Sequence, residues 1–186
     1  MYKKQINDYV ATNSQEIQDK KVILDYIERF GDSLLTRENE FAHFTSSGFI
    51  VNETFDKVLM IYHNLYQSWS WTGGHADGNF DFLAVAMQEA MEETGVVNIR
   101  PLSEEIMAID ILPVWGHVKK GQYVSSHLHL NVSYLLIASE EDTLKIKPDE
   151  NSKVGWLPIG ELSTYCDEPQ MLPIYEKLIK RLLLEK

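Results

Sequence analysis

Three glutamates in the run QEAMEETG, at positions 88–95, constrain this chain more than any other feature of its sequence. An α-helix turns about 100° per residue, so Glu92 and Glu93 project from the same helical face as Glu89. Like charges at this spacing destabilise a helix by roughly 0.2–0.5 kcal/mol per pair. The run is therefore either a solvated acidic face or a site for a divalent cation, because hard oxygen ligands on one rigid face suit Mg²⁺ or Mn²⁺.

The residues around the glutamates predict a loop followed by a helix. The run NLYQSWSWTGGHADGN, at 64–79, contains three glycines and is typical of a loop. The Ala, Met, Leu and Glu content of residues 80–95 favours a helix, which Gly95 is expected to end. The expected buried stripe, with the glutamates lying off it, is Leu83, Ala86, Met87, Ala90 and Met91.

The other segments predict strands framed by helices. The runs HFTSSGFIV and KVLMIYH have the composition of a β-hairpin. The runs EIMAIDILPVWGHV and QYVSSHLHLNVSYLLIA predict two more strands joined at a turn, KKG. In the second of these, alternation places His127, His129, Asn131 and Ser133 on one face. The run QMLPIYEKLIKRLLLEK predicts a closing amphipathic helix.

The first forty residues predict a helical extension. Asn13 followed by Glu16 forms a capping-box pattern, the apolar residues that follow recur at helical period, and Gly31 ends the helix. Residues 32–41 hold a second short helix in this interpretation. We therefore divide the chain into an extension, 1–41, and an α/β (α+β) domain, 42–186, with its β-rich segments packed between helices.

Composition excludes several classes of protein. The net charge is −11 with only four arginines, so the chain lacks the cationic stripe with which proteins bind duplex nucleic acid. A single cysteine, Cys166, precludes an intrachain disulfide and is compatible with a reducing compartment. No apolar run approaches the roughly 20 residues that span a membrane, and the N-terminus is too charged for a secretory signal. We expect a cytoplasmic protein with no membrane segment.

The stretch from Gly74 to Val96 resembles the signature of the Nudix hydrolases, Gly-x5-Glu-x7-Arg-Glu-U-x-Glu-Glu-x-Gly-U, where U is bulky and apolar. Six fixed positions match, and Trp69 stands four residues before the glycine pair, as it often does in the family. The matching positions are Gly74, Glu89, Glu92, Glu93, Gly95 and Val96. The resemblance extends over roughly residues 42–165 and implies a Nudix-type α/β/α sandwich with a mixed sheet.

Two departures from the signature bear on catalysis. Phe80 occupies the position of the first glutamate, and Asp81 beside it is rotated by about 100° on a helix, so it is no direct replacement. Gln88 occupies the position of the arginine, which in the family pairs with a glutamate of the signature. A glutamine donates a hydrogen bond without charge, and charge-assisted bonds are about twice as strong. These changes are compatible with an enzyme of altered metal affinity or with a non-catalytic nucleotide-binding or regulatory protein.

The resemblance implies a metal-dependent pyrophosphohydrolase acting on a small nucleoside diphosphate derivative. Divalent cations neutralise a diphosphate and lower the pKa of bound water. Glu89 and Glu93 are the first candidates for metal ligands, with Glu92 completing the cluster or binding through water. Gly73 and Gly74 let the backbone approach closely; the resemblance implies a carbonyl ligand there. Glu150, in the loop before a late tryptophan, or Glu92 is the candidate general base.

Two questions stay open at the level of sequence. His127 and His129, with His75 and His117 as neighbours, could bind zinc or contact phosphate. A zinc site needs three or four ligands, and no companion cysteine or HExxH spacing is present. We therefore interpret them as residues that line the substrate side of the sheet or bond to neighbours. The N-terminal helices could form a homodimer contact or a lid.

Overall fold

The computed structural model describes residues 2–119 and 121–184. The helices are α1 (Tyr2–Asp8), α2 (Ser14–Phe30), α3 (Phe82–Thr94), α4 (Leu162–Tyr165) and α5 (Leu172–Leu184). The strands are β1 (Ala42–Val51), β2 (Lys57–His63), β3 (Ser68–Ser70), β4 (Thr72–His75), β5 (Ile99–Pro101), β6 (Ala108–Val114), β7 (His117–Lys119), β8 (Gln122–Val124), β9 (His127–Ala138) and β10 (Asn151–Pro158). Lys120, in the expected KKG turn, and residues 185 and 186, in the expected closing helix, lie outside the described residues.

An eight-stranded mixed sheet forms the centre of the molecule. Its main path runs β10–β2–β1–β9–β5, while β3 pairs with β2, β4 with β1 and β6 with β9. Strands β1 and β9 run parallel, from Ala42 opposite Leu128 to Val51 opposite Ile137. The other pairs in this sheet are antiparallel, including the predicted β1–β2 hairpin. Strands β7 and β8 form a separate small hairpin.

Helices cover both faces of the sheet, because successive strand residues send apolar side chains to opposite sides. On one face, α1, α2 and α3 share a core with Phe44, Leu130 and Val132. On the other face, α5 packs against Phe49, Leu135 and neighbouring residues. The expected α/β/α sandwich is confirmed. No helix among residues 2–119 and 121–184 is long and apolar enough to cross a membrane.

The N-terminal extension packs into the first of these cores. The Asn13 side chain accepts a hydrogen bond of 2.9 Å from the backbone N–H of Glu16, which confirms the predicted start of α2. The buried face of the extension consists of Tyr2, Ile6, Ile23, Ile27, Leu34 and Leu35. The expected short helix after Gly31 is a 3₁₀ turn over Gly31–Leu35. The extension is thus part of the hydrophobic core on this face of the sheet.

The prediction of a loop over residues 64–79 is wrong at two short stretches, which form strands β3 and β4. Ser68–Ser70 pairs with β2, and Thr72–His75 pairs with β1. Neighbouring strands supply these hydrogen bonds, so tertiary pairing overrides the low strand propensity of glycine and serine. The expected long strands on either side of KKG are each interrupted, at residues 115–116 and 125–126.

Candidate metal centre

Helix α3 carries the glutamates and is fixed at both ends by its own sequence. The Asp81 side chain accepts a hydrogen bond of 3.0 Å from the N–H of Ala84, and Gly95 ends the helix in the left-handed conformation. The buried face consists of Phe82, Val85, Ala86, Ala90, Glu93 and Thr94. The expected stripe is wrong at Met91, which is exposed. Glu93, three positions after Ala90, instead lies on the face turned toward the sheet.

The structure brings Glu89, Glu93 and Glu150 together. One carboxylate oxygen from each lies within 4.8 Å of the other two. Glu93 is almost fully buried, and Glu89 and Glu150 are partly buried. The loop before β10 presents Glu150, because the Asn151 amide donates a 3.0 Å hydrogen bond to the carbonyl of Glu93. Residues from two distant segments thus converge on one all-oxygen site.

The paired glycines of β4 allow this approach. The N–H of Gly73 donates a hydrogen bond of 3.1 Å to Oε2 of Glu93. A Cβ atom added at Gly74 would overlap the carboxylate of Glu89. A side chain at position 74 would therefore displace the Glu89 carboxylate from its place beside β4, and glycine leaves that place open, in line with the close approach expected for the pair.

The electrostatics of the cluster favour a cation. Burial raises the pKa of Glu93 to about 9, against the Gly73 hydrogen bond, and the charges of Glu89 and Glu150 add to the rise. Burial also raises the pKa of Glu89, against the attraction of Lys147. Carboxylates held this way are costly to ionise without a counterion. Hard oxygen donors on rigid supports fit Mg²⁺ or Mn²⁺.

Glu92 lies at the rim of this site, outside the three-carboxylate group. Its Oε1 accepts a hydrogen bond of 2.8 Å from the Gln88 amide, and its Oε2 lies 3.2 Å from Nζ of Lys147. The same ammonium lies 3.1 Å from Glu150 and 3.9 Å from Glu89. Lys147 was not predicted from the sequence, although its position three residues before Glu150 could have indicated that it lies beside that carboxylate.

The two departures from the signature have different structural outcomes. Phe80 is half exposed and contributes no carboxylate, while Asp81 is engaged as the α3 cap. Gln88 keeps its hydrogen bond to Glu92 and Lys147 adds the charge. Gln88 and Lys147 thus together contact the glutamate that the arginine of the signature pairs with. Residue 80 lies before α3 and not on it, so the expectation that residues 80 and 81 are separated by a helical rotation of about 100° is wrong.

A second cluster of ionisable groups lies on the α5-facing side of the sheet. One ring nitrogen each from His43, His75 and His129 lies within 4.8 Å of the other two. The ring of His127 stacks 4.8 Å from that of His43. Burial lowers the pKa of His75 to about 3 and that of His129 to about 2, so these imidazoles are neutral near pH 7. His117, also considered above, bonds locally to the carbonyl of Trp115.

Sequence comparison identifies the domain. The family model for the NUDIX domain matches residues 42–182, which begin at β1 and include both the glutamates of α3 and Glu150. No protein of curated function matches the chain significantly.

Solved structures share the fold at low identity. A NUDIX-family hydrolase from Clostridium perfringens has a TM-score of 0.52 at 22% identity, covering 75% of this chain and 97% of its own. The Escherichia coli dihydroneopterin triphosphate pyrophosphohydrolase has a TM-score of 0.55 at 13% identity, covering 74% and 95%. An Ap4A hydrolase from C. elegans has a TM-score of 0.52 at 16% identity, covering 75% and 97%. With the family match over most of its length, this chain belongs to the Nudix family.

Proposed function

We propose that this protein is a Mg²⁺- or Mn²⁺-dependent hydrolase that cleaves the pyrophosphate linkage of a nucleoside diphosphate derivative by attack of water. The observation that carries the proposal is the convergence of Glu89, Glu93 and Glu150 on one site beside the glycines of β4. The cation, when bound, supplies neutralisation of the diphosphate and activation of water.

Each carboxylate has a distinct part in the proposal. Glu89 and Glu93, on successive turns of α3, would hold the cation. The N–H of Gly73 holds Oε2 of Glu93, so its other oxygen, on the side of Glu89 and Glu150, would be the ligand atom. Glu92, paired with Lys147 at the rim of the site, would complete the ligand set directly or through water.

Glu150 is the proposed general base. It lies on a loop, is partly exposed, and its oxygen lies 3.1 Å from Lys147. A base must reach the proton of the attacking water, and a loop carboxylate beside the buried pair has that access. Glu92 is the second candidate, because its carboxylate is exposed on the same rim.

The charge of the chain limits how an anionic substrate binds. The net charge is −11, and the cations at the site are few. Lys147 touches the cluster, and Arg37 lies close enough to Glu89 and Glu150 for their charges to raise its pKa, although Asp77 is its principal partner. A polyphosphate therefore depends on metal ions for most of its neutralisation, which favours a small substrate over a nucleic acid.

The test is hydrolysis of a panel of nucleoside diphosphate derivatives, including ADP-ribose, a dinucleoside tetraphosphate, nucleotide sugars and nucleoside triphosphates. Wild type is compared with Glu93→Gln in the presence of Mg²⁺ or Mn²⁺, with Glu176→Gln on the exposed side of α5 as the matched control. We expect metal-dependent cleavage by wild type and the control, and loss of cleavage in Glu93→Gln.

The alternative is a non-catalytic Nudix-fold binding or regulatory protein. Phe80 favours it, since it removes one carboxylate of the signature. Binding of a panel compound without cleavage by wild type would support this alternative. The Phe80→Glu and Gln88→Arg variants would then be assayed for a return of hydrolysis.

A further inference from the structure

We propose that His43, His75 and His129 form a binding site for a transition-metal ion of the Zn²⁺ class, distinct from the carboxylate centre and tying strands β1, β4 and β9 together. Each strand contributes one ligand, and the three ring nitrogens already lie within 4.8 Å of one another. The inference rests on this geometry alone and does not depend on the proposed hydrolysis.

The strand register places the three imidazoles side by side. His43 stands opposite His129 in the parallel β1–β9 pair, and Thr45, two residues further along β1, stands opposite His75. Residues two apart on a strand share a face, so all three project from the α5-facing side. This placement depends on strand pairing between segments far apart in sequence, which is why the spacing of histidines along the chain did not indicate it.

His43 carries the strongest sign of an absent ligand. It is only 5% exposed, and its Nε2 has no hydrogen-bond partner. Its Nδ1 lies 3.1 Å from the carbonyl of Asn39, so Nδ1 carries the proton and Nε2 presents a lone pair. A ligating histidine usually donates its other N–H to a carbonyl in this way, which fixes the tautomer. A buried lone pair without a partner otherwise carries its desolvation cost uncompensated.

His127 extends the cluster toward a fourth ligand. Its Nδ1 lies 2.9 Å from the carbonyl of Ser125, and its Nε2 lies 3.2 Å from Nε2 of His129. Two nitrogens bound to one tetrahedral Zn²⁺ at about 2.0–2.1 Å are about 3.3 Å apart. The His127–His129 separation, which a hydrogen bond occupies without metal, therefore has the value that a shared ion requires, and the nitrogens of the three-histidine group would have to draw in from within 4.8 Å to that spacing.

The site is separated from the carboxylates by the backbone of β4. A Cβ at Gly74 would point into Glu89, whereas one at Gly73 would meet Ser47. Because side chains alternate along a strand, His75 shares the face of Gly73 and points away from Glu89. The two sites also differ in donor type: carboxylates suit Mg²⁺ and Mn²⁺, while imidazoles suit Zn²⁺ and its first-row neighbours.

The test is Zn²⁺ binding to the chelator-treated full-length protein by titration calorimetry, with Mg²⁺ present in excess to occupy the carboxylate site. Co²⁺ serves as the spectroscopic probe of nitrogen coordination. We expect one equivalent of Zn²⁺ to bind and to raise the melting temperature. His43→Asn and His129→Asn should weaken binding by more than the roughly 10- to 100-fold that loss of an outer hydrogen-bond partner costs. His117→Asn is the matched control outside the cluster.

The variants also separate this proposal from the hydrolase proposal. Glu93→Gln should leave Zn²⁺ affinity unchanged, whatever it does to hydrolysis. If circular dichroism shows that His43→Asn does not fold, His75→Asn takes its place, because His75 is less buried. Absence of Zn²⁺ binding to folded wild type would overturn the inference, as would Zn²⁺ binding that Glu93→Gln removes and the histidine variants retain.

Discussion

Nζ of Lys147 lies 3.2 Å from Oε2 of Glu92, 55 residues away in the chain. The Nudix signature has an arginine four residues before this glutamate, and this chain has Gln88 there. Gln88 bonds the other carboxylate oxygen, at 2.8 Å. A neutral donor on the helix and a cation on a distant loop thus together hold the glutamate.

Lys147→Gln tests whether this lysine competes with the bound cation. Its ammonium lies within 4 Å of three carboxylates and is partly exposed. Removing about 1 kcal/mol of repulsion toward an incoming cation should tighten Mg²⁺ binding by roughly 3- to 10-fold, while the metal-free protein loses stability. Calorimetric titration at fixed ionic strength measures the first effect and thermal melting the second.

Lys145→Gln removes the same charge two residues away, at a position that forms no ion pair among the described residues. It should leave Mg²⁺ affinity unchanged. Weaker Mg²⁺ binding in Lys147→Gln would show instead that the lysine is needed to position Glu92.

Glu93→Gln should stabilise the metal-free protein and remove its response to Mg²⁺. Burial raises the pKa of Glu93 to about 9 from 4.5. A carboxyl whose folded-state pKa is raised contributes stability below the unfolded pKa and loses it as pH rises toward the folded value. At pH 7 the raised pKa therefore lowers the free energy of unfolding by at most about 3 kcal/mol. A glutamine does not ionise and avoids this loss.

The measurement is thermal melting between pH 4 and pH 8, with and without Mg²⁺. Wild type without metal should lose stability relative to Glu93→Gln as pH rises through this range. Added Mg²⁺ should raise the melting temperature of wild type only. Equal Mg²⁺ responses in the two proteins would mean that Glu93 is not a ligand.

Glu150→Gln distinguishes the proposed base from its neighbour. Loss of a general base lowers turnover by roughly 10²- to 10⁴-fold. Asp149→Asn, which changes the adjacent exposed acid, should keep turnover within a few fold. Steady-state kinetics on the substrate found in the panel gives the comparison. Near-normal turnover in Glu150→Gln would transfer the role to Glu92.

Glu16→Ala should destabilise the fold strongly. Glu16 is fully buried and accepts hydrogen bonds of 2.8 and 2.6 Å from the Arg181 guanidinium, with Lys177 3.3 Å away. Removing one partner of a buried ion pair typically costs 3–5 kcal/mol, about the stability of a marginal domain. Urea unfolding measures the loss. Glu16→Leu and Arg181→Leu, made singly and together, complete a double-mutant cycle: the double variant should lose less stability than the sum of the two single losses, and strictly additive losses would contradict the coupling.

The same pair predicts acid sensitivity. Burial alone would raise the pKa of Glu16, but hydrogen bonds from Arg181, Tyr9 and the Thr12 backbone lower it to about 2 from 4.5. The stabilisation is therefore complete above pH 4.5 and is lost as pH falls toward 2. Across that window the free energy of unfolding of the wild type should fall by up to about 3 kcal/mol more than that of Glu16→Gln. Urea unfolding at each pH measures the difference. Parallel pH curves would exclude Glu16 as the source.

Local sequence rules were sufficient for the elements whose signals lie within a few residues. The Asn13 cap, the Gly95 stop and the β1–β2 hairpin depend on contacts between near neighbours. Strands β3 and β4 were not predicted, because their hydrogen bonds come from neighbouring strands and glycine and serine have little strand propensity of their own.

The site was predictable only in part, for the same reason. Glu89 and Glu93 lie one helical turn apart, so their proximity follows from helix geometry. The position of Lys147 and the meeting of His43 with His129 depend on how loops and strands pair across more than fifty residues. Glu93 was expected to lie off the buried stripe because a hydrophobic pattern assigns every carboxylate to solvent, whereas this one is turned toward the sheet.

The contact of α2 with α5 bears on where the folding unit begins. The region of family similarity starts at residue 42, yet Glu16 neutralises Arg181 and Lys177 near the other end of the chain. A polypeptide shortened to that region would leave Arg181 without its carboxylate partner and Lys177 with Asp110 alone. It would also expose the rings of Phe44 and Phe82, which Tyr2 now contacts. The region of family similarity and the hydrophobic core that it shares with the N-terminal helices thus begin at different positions, and the core begins upstream of residue 42.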